Sequence, residues 1–158
     1  MLGIYIKPLR EAFHHLFLGH SFDDFYISEI RLSQDFSLTA EGKRFGEEGE
    51  AYIRWSRLRP LIYPFIKGEK PPRSLSLVFL LSEEKTISFL KRFSLPYEES
   101  ALPQLFLNLR YKPGALLLTT GISEKSFQLN SDLSRCWDQS VKQFIEGLGL
   151  SEDLTISP

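Results

Sequence analysis

The densest concentration of side chains able to do chemistry is HHLFLGHSFDD at His14 to Asp24, which holds all three histidines of the chain and two carboxylates. Imidazole nitrogens and carboxylate oxygens are ligands for divalent metals. His20, Asp23 and Asp24, joined by His14 or His15, are the set that such a centre would draw on, and a metal-dependent hydrolase is the enzyme reading that follows. Their spacing matches no established ligand pattern. On a helix, His14 and His15 point about 100° apart, so they cannot readily chelate one ion together. A solvated helix surface, with His20 near the negative helix end, accounts for the same residues.

Arg54, Arg57 and Arg59 form a second cluster, interleaved with Tyr52 and Trp55. Guanidinium groups and aromatic rings are the types that contact phosphate and stack on bases, so a nucleic-acid interface is one expectation. Arginine stems lying along the flanks of an apolar helix face are the other. Arg57 and Arg59 flank that face on opposite edges, which favours packing. The charge balance of 19 basic and 20 acidic residues leaves a net charge of -1 and no overall attraction for nucleic acid or an acidic membrane.

Nucleophilic chemistry has little to stand on. The single cysteine, Cys136, falls on the apolar side of a helix, where a thiol is inert. Neither a Gly-x-Ser-x-Gly elbow, a phosphate-binding loop nor a glycine-rich dinucleotide turn occurs, and no cofactor is implied. Glu47, Glu48 and Glu50 read as a solvated loop, and Asp138 as an exposed partner of Lys142 one turn away.

The elements that position these residues follow from periodicity. A strand at Gly3 to Ile6 leads through Pro8, tolerated in a first helical turn, into a helix with Leu9, Ala12, Phe13, Leu16 and Phe17 on one face. Gly19 is placed to end it in a left-handed conformation. Phe25 to Leu32 and Phe36 to Ala40 predict a hairpin. Trp55, Leu58, Leu61, Ile62, Phe65 and Ile66 share one helical arc, but Pro60 and Pro64 predict a turn first, a helix starting at Pro60 and a break at Pro64. LSLVFLL at Leu75 to Leu81 reads as a strand covered on both faces. A helix capped by Ser82 follows, then strands at Leu105 to Tyr111 and Ala115 to Thr120. The Pro113-Gly114 turn between them favours a type II geometry, for which a bulge or longer loop is expected. Ser126 to Leu129 predicts a further strand. The last helix, capped by Asn130 or Ser131, buries Leu133, Cys136, Trp137, Val141, Phe144, Ile145 and Leu148. Residues 151–158 read as a frayed tail.

This order repeats. The first half reads strand, helix, hairpin, loop and tryptophan-bearing helix, the second strand, helix, hairpin with an extra strand and tryptophan-bearing helix, and each closes on Phe-Ile-x-Gly; 79 residues separate Gly42 from Gly121 and Phe65 from Phe144, and 82 separate Trp55 from Trp137. The expectation is an α+β domain over residues 1–150, with a mostly antiparallel sheet and about four helices. Two similar β-α-β-β-α halves, 1–68 and 74–149, share a core anchored by Trp55, Phe65, Trp137 and Phe144.

The segments PFIKG after the first tryptophan, FLNLRY, LLTTGISEKSFQL and CWDQSVKQFI resemble a family of uncharacterised clostridial-type bacterial proteins, a domain of unknown function. The resemblance spans most of the chain and implies no catalytic residue, cofactor or substrate; the histidine cluster lies outside it. Hydrophobic residues at 42% exclude disorder. One cysteine and the lack of an apolar run of membrane-crossing length predict a soluble cytoplasmic protein with no membrane partner. The function expected is a non-catalytic binding or assembly module with a protein or nucleic-acid partner, the nucleic-acid version using Arg54, Arg57 and Arg59. Duplicated strand-helix-hairpin units also occur in DNA sliding clamps, an analogy of fold that transfers no function.

Overall fold

The computed structural model describes residues 1–46, 48–68, 70–124 and 131–156. Strand β1 (Leu2–Lys7) leads into helix α1 (Leu9–Phe13), which runs on as one π-helical turn at His14–Leu18. Ala12, Leu16 and Phe17 are buried, with Leu9 and Phe13 packed at the margin. Gly19 is extended (φ -83°) rather than left-handed. Its N–H already closes the widened turn by donating to the His14 carbonyl at 2.7 Å, so no left-handed residue is needed.

Strands β2 (Tyr26–Ser33) and β3 (Ser37–Glu41) form the first hairpin. Helix α2 (Trp55–Ile66) starts before the prolines and contains both. The reason lies outside the helix. Trp55 has no exposed surface, and its Nε1 donates to the Leu16 carbonyl at 2.6 Å, which pins the first turn in place. Pro60 and Pro64 sit on the exposed side, so the carbonyls they leave without helical donors are open to water.

The arc of α2 is narrower than its apolar spacing suggests. Trp55 and Ile62 are buried and Leu58 and Ile66 pack against the core. Leu61 is 64% exposed and Phe65 41%, so Phe65 is not a core anchor. The helix packs against β2 and the π turn, and among the described residues Leu61 and Phe65 are left exposed on its other side. Phe144, the counterpart of Phe65, is half-buried 5.3 Å from the ring of Phe22.

The second half contains β4 (Ser74–Leu80), α3 (Glu83–Arg92), a 3-10 turn at Glu99–Ala101, β5 (Gln104–Lys112), β6 (Ala115–Ser123) and α4 (Ser131–Gly147). Ser82 Oγ caps α3 by accepting from the Lys85 N–H at 3.3 Å. The β5–β6 connection is two residues, Pro113-Gly114, with Gly114 at φ +87°. Pairing runs unbroken from Lys112 opposite Ala115 to Gln104 opposite Ser123, so the expected bulge is absent. The predicted strand at Ser126 to Leu129 and the Asn130 cap lie outside the described residues. Ser151–Ile156, expected to fray, forms β7 along β1. Its pairing with β1 satisfies backbone groups that a frayed tail would leave to water.

The sheet order is β3-β2-β4-β5-β6-β1-β7, with every neighbouring pair antiparallel. The chain is therefore an α+β fold with four helices on an antiparallel sheet. One core takes in buried residues of all four helices. In β4, Leu75, Leu77 and Phe79 are buried while Ser74, Ser76 and Val78 are half-buried, so this strand is covered on one face and not two. Among the described residues the helices cover one side of the antiparallel sheet, and the strand residues on the other side are mostly half-buried or exposed.

The order β-α-β-β-α occurs twice, yet the sheet neighbours differ between halves: β1 lies between β6 and β7, whereas β4 lies between β2 and β5. Each tryptophan packs edge-on against a phenylalanine from the helical segment of its own half, Trp55 on Phe17 at 5.5 Å and Trp137 on Phe89 at 5.7 Å. Trp137 Nε1 donates to the Phe106 carbonyl at 3.1 Å.

Gly42 extends β3 where the backbone closes on β2; a Cβ there would sit 1.7 Å from the Ile27 carbonyl oxygen. Gly42→Ala is expected to destabilise the fold by about 1–3 kcal/mol or more by forcing these segments apart. Urea unfolding checks it, and a midpoint equal to that of the parent protein contradicts the close approach.

Candidate functional site

The fold brings His20 and Asp23 together but does not gather Asp24 with them. Asp23, delivered by the turn between the π segment and β2, accepts from Arg59 of α2 through both oxygens, Nε to Oδ1 at 2.7 Å and Nη2 to Oδ2 at 3.0 Å. His20 Nδ1 lies 2.8 Å from Asp23 Oδ2. Asp24 turns away, 4.0 Å from Lys85 Nζ. Among the described residues, no group of three His, Cys, Asp or Glu side chains is arranged to hold a metal ion. The guanidinium occupies the carboxylate that a cation would need.

This fork pairing is only slightly exposed, 14% for Arg59 and 16% for Asp23. The hydrogen bonds from Arg59 hold the Asp23 carboxyl below the usual carboxylate range, and the same pairing raises the Arg59 guanidinium. Arg59 Nη1 also donates to the Phe17 carbonyl at 3.3 Å, so it ties α2 to the π turn. His15 is a second tie: Nε2 lies 3.1 Å from the Leu148 carbonyl and Nδ1 2.9 Å from Ser21 Oγ. A carbonyl can only accept, so Nε2 carries the proton.

The arginine cluster is divided in the same way. Arg54 donates to Glu50 Oε2 at 2.6 Å and to the Asp24 carbonyl at 2.8 Å, and its guanidinium lies 5.2 Å from the centre of the Tyr26 ring. With Arg54 and Arg59 engaged inside the fold, Arg57 alone of the three stands exposed. Asp138, read as an exposed partner of Lys142, accepts from Thr120 Oγ1 at 2.5 Å and links α4 to β6.

Three other surfaces escaped the sequence reading. Beside α3, a pocket of about 180 Å³ is lined by Tyr26, Tyr52, Glu83, Thr86, Glu99 and Gln104, among others. Tyr26 Oη donates to Glu83 Oε2 at 2.6 Å. Burial, together with the carboxylates of Glu83 and Glu50, raises the Tyr26 phenol far above the usual tyrosine range. These partners are separated by 57 residues, and no local pattern joins them.

On the open sheet face, one row crosses the strands as Thr39, Arg31, Ser76, Arg110, Leu117 and Tyr5. A groove of about 440 Å³ lies there, lined by Arg31, Arg110 and Lys112, the carboxylates of Glu29 and Glu41, and serine and threonine hydroxyls. Arg31 is engaged by Glu29. Strand alternation is the signal that places these residues on one face, but only the strand order makes them neighbours.

The third surface is apolar. Phe65 of α2 meets Phe36 of the β2–β3 turn, with ring centres 6.1 Å apart, and Leu61 is exposed one turn before Phe65 on the same helix. Phe36 is 49% exposed, and Gln34 Nε2 donates to the Phe65 carbonyl at 2.6 Å, which fixes the turn against the helix. The ridge borders the edge strand β3.

Asp23 is the group here whose ionisation bears on stability. Its folded pKa lies below the ordinary value of 3.8, so its contribution is fully present above 3.8 and is lost as pH falls through the depressed folded value. Arg59→Ala is expected to cost about 1.5–3 kcal/mol at neutral pH. Asp23→Asn should remove the part of the acid-limb slope due to this group, measured by urea unfolding between pH 2 and pH 7. A mutant whose stability falls with acid in parallel with the parent protein would count against it.

A family model described as a family of unknown function, DUF5721, matches residues 15–151. No curated protein and no solved structure matches the chain. Among the described residues no helix is long and apolar enough to cross a membrane. The family match takes in every surface described above except the β1 end of the open-face row, and on that match the chain belongs to the DUF5721 family.

Proposed function

We propose that the chain is a non-catalytic binding or assembly module of a reducing bacterial cytoplasm. The observation that carries this reading is the ridge of Phe36, Leu61 and Phe65 beside an open strand edge. Large apolar side chains gathered at one place mark interaction surfaces. The free, buried thiol of Cys136 suits a reducing compartment, and the motif resemblance supports a clostridial-type source. The repeated element order and the matching edge-on tryptophan contacts support an internal duplication as the origin of the scaffold. The hydrolase reading has no comparable observation behind it.

In extracts of cells producing the protein, the parent chain is expected to run in a particle larger than its own 18.3 kDa, and Leu61→Asp to run smaller. Because Leu61 is mostly exposed, that change should shift stability by only about 0.5 kcal/mol. If both proteins run as single 18.3 kDa chains, the reading fails.

Nucleic-acid binding is a second reading, now favoured by the open-face groove rather than by Arg54, Arg57 and Arg59. Exposed Arg110 and Lys112 lie in one groove with hydroxyls that can donate to phosphate. Fluorescence anisotropy with a single-stranded oligonucleotide at several salt concentrations tests it. The double change Arg110→Ala with Lys112→Ala should lower the logarithmic salt slope by about 1.4, while Arg57→Ala leaves it unchanged. No binding by the parent protein at low salt removes this reading.

A further inference from the structure

We infer that the partner of the apolar ridge is a second copy of this chain, joined through β3 so that two sheets become one. The inference rests on the binding or assembly reading and names its partner.

The first argument is the backbone. In an antiparallel ladder, alternate residues direct both N–H and C=O toward the neighbour. The Gly42 N–H donates to the Ser28 carbonyl at 2.8 Å, which sets the phase: the even-numbered residues Leu38 and Ala40 face β2. Ser37, Thr39 and Glu41 therefore direct their N–H and C=O groups outward from the sheet edge. Edge strands are ordinarily guarded by lysine, proline or a bulge. SLTAE has no such guard, and its one charge sits at the end.

The second argument is register. Around a twofold axis at Thr39, Ser37 lies opposite Glu41 of the second copy, and Thr39 opposite its own copy. All three outward-facing residues then fall in hydrogen-bonded pairs, each exchanging both bonds with its partner. No like charges oppose each other, because Glu41 meets a serine hydroxyl. Shifting the axis to Glu41 would set two carboxylates face to face, and shifting it to Ser37 would leave Glu41 unpaired. Thr39 against Thr39 is a favourable cross-strand pair.

The third argument is the ridge. An axis perpendicular to the sheet at Thr39 brings the two α2 helices side by side on the same face. Leu61, Phe65 and Phe36 are exposed large apolar side chains, and Phe36, the residue before β3, meets Phe65, so a second copy joined along β3 offers them a surface to bury against. Backbone pairing and apolar burial thus meet at one interface, the self-complementary kind that twofold symmetry requires.

Sedimentation velocity on the purified full chain, across roughly 1–100 µM, is expected to show twice the monomer mass of 18.3 kDa. Thr39→Pro removes one outward N–H per copy and touches no bond to β2, since proline is tolerated on an edge strand. It should weaken the dimer about thirtyfold with unchanged far-ultraviolet circular dichroism. Ser37→Lys, at an exposed position, places an ammonium opposite Glu41 of the second copy and should tighten the dimer severalfold at low salt. A parent protein that is monomeric throughout, or a dimer indifferent to both Thr39→Pro and Leu61→Asp, overturns the inference. A purified monomer that still runs in a larger particle in extracts overturns it too, but leaves the binding reading standing with a different partner.

Discussion

The packing of one indole ring governs much of this molecule. Trp55 is wholly buried, donates to the carbonyl of Leu16 and packs edge-on against Phe17 and Phe79, so that the π turn, α2 and the centre of the sheet meet at a single side chain. Such a ring carries a large apolar area and one polar atom that needs a partner. Both demands are met only if α2 begins at residue 55. The helix then has to carry two prolines, and it carries them on the side that water can reach.

The same anchor decides the fate of the neighbouring charges. With α2 held against the π turn, Arg59 points at Asp23 and Arg54, just before the helix, reaches Glu50 and the Asp24 carbonyl. Two guanidinium groups that would draw phosphate if exposed instead fasten loops to the helix. A carboxylate gripped by arginine through both oxygens is likewise a poor ligand for a cation. Two chemistry-like clusters in the chain thus neutralise each other across the fold.

A second constraint is the one-sided sheet. Helices cover one face, and residues on the other alternate with the core along each strand. Because the strand order sets which residues become neighbours, charges far apart in sequence collect in one place. Arg31, Arg110 and Lys112 gather in the open-face groove together with Glu29 and Glu41, while Glu83 and Glu99 line the pocket by Tyr26. The net charge of the chain says nothing of which charges meet. The strand order also decides which strands become edges, and β3 is an edge with its ridge alongside.

What the amino-acid order by itself determined is most of the elements: the hairpins, the Ser82-capped helix, the arc of α1 and the depth of α4 follow from periodicity and capping that act within a few residues. The repeated β-α-β-β-α order was legible for the same reason. Tertiary structure alone decided the rest. It set where α2 begins, because a contact with Leu16, far back in the chain, outweighs local proline chemistry. It turned Phe65 outward, because a helix packed from one side has its other side uncovered whatever its sequence. It left one face of β4 open, because the run LSLVFLL does not say on which side the helices will lie. It made Ser151–Ile156 a strand, because β1 had an edge to pair. Local rules read spacing along the chain, whereas sites and surfaces depend on which segments meet, and that is fixed by burial summed over the whole core.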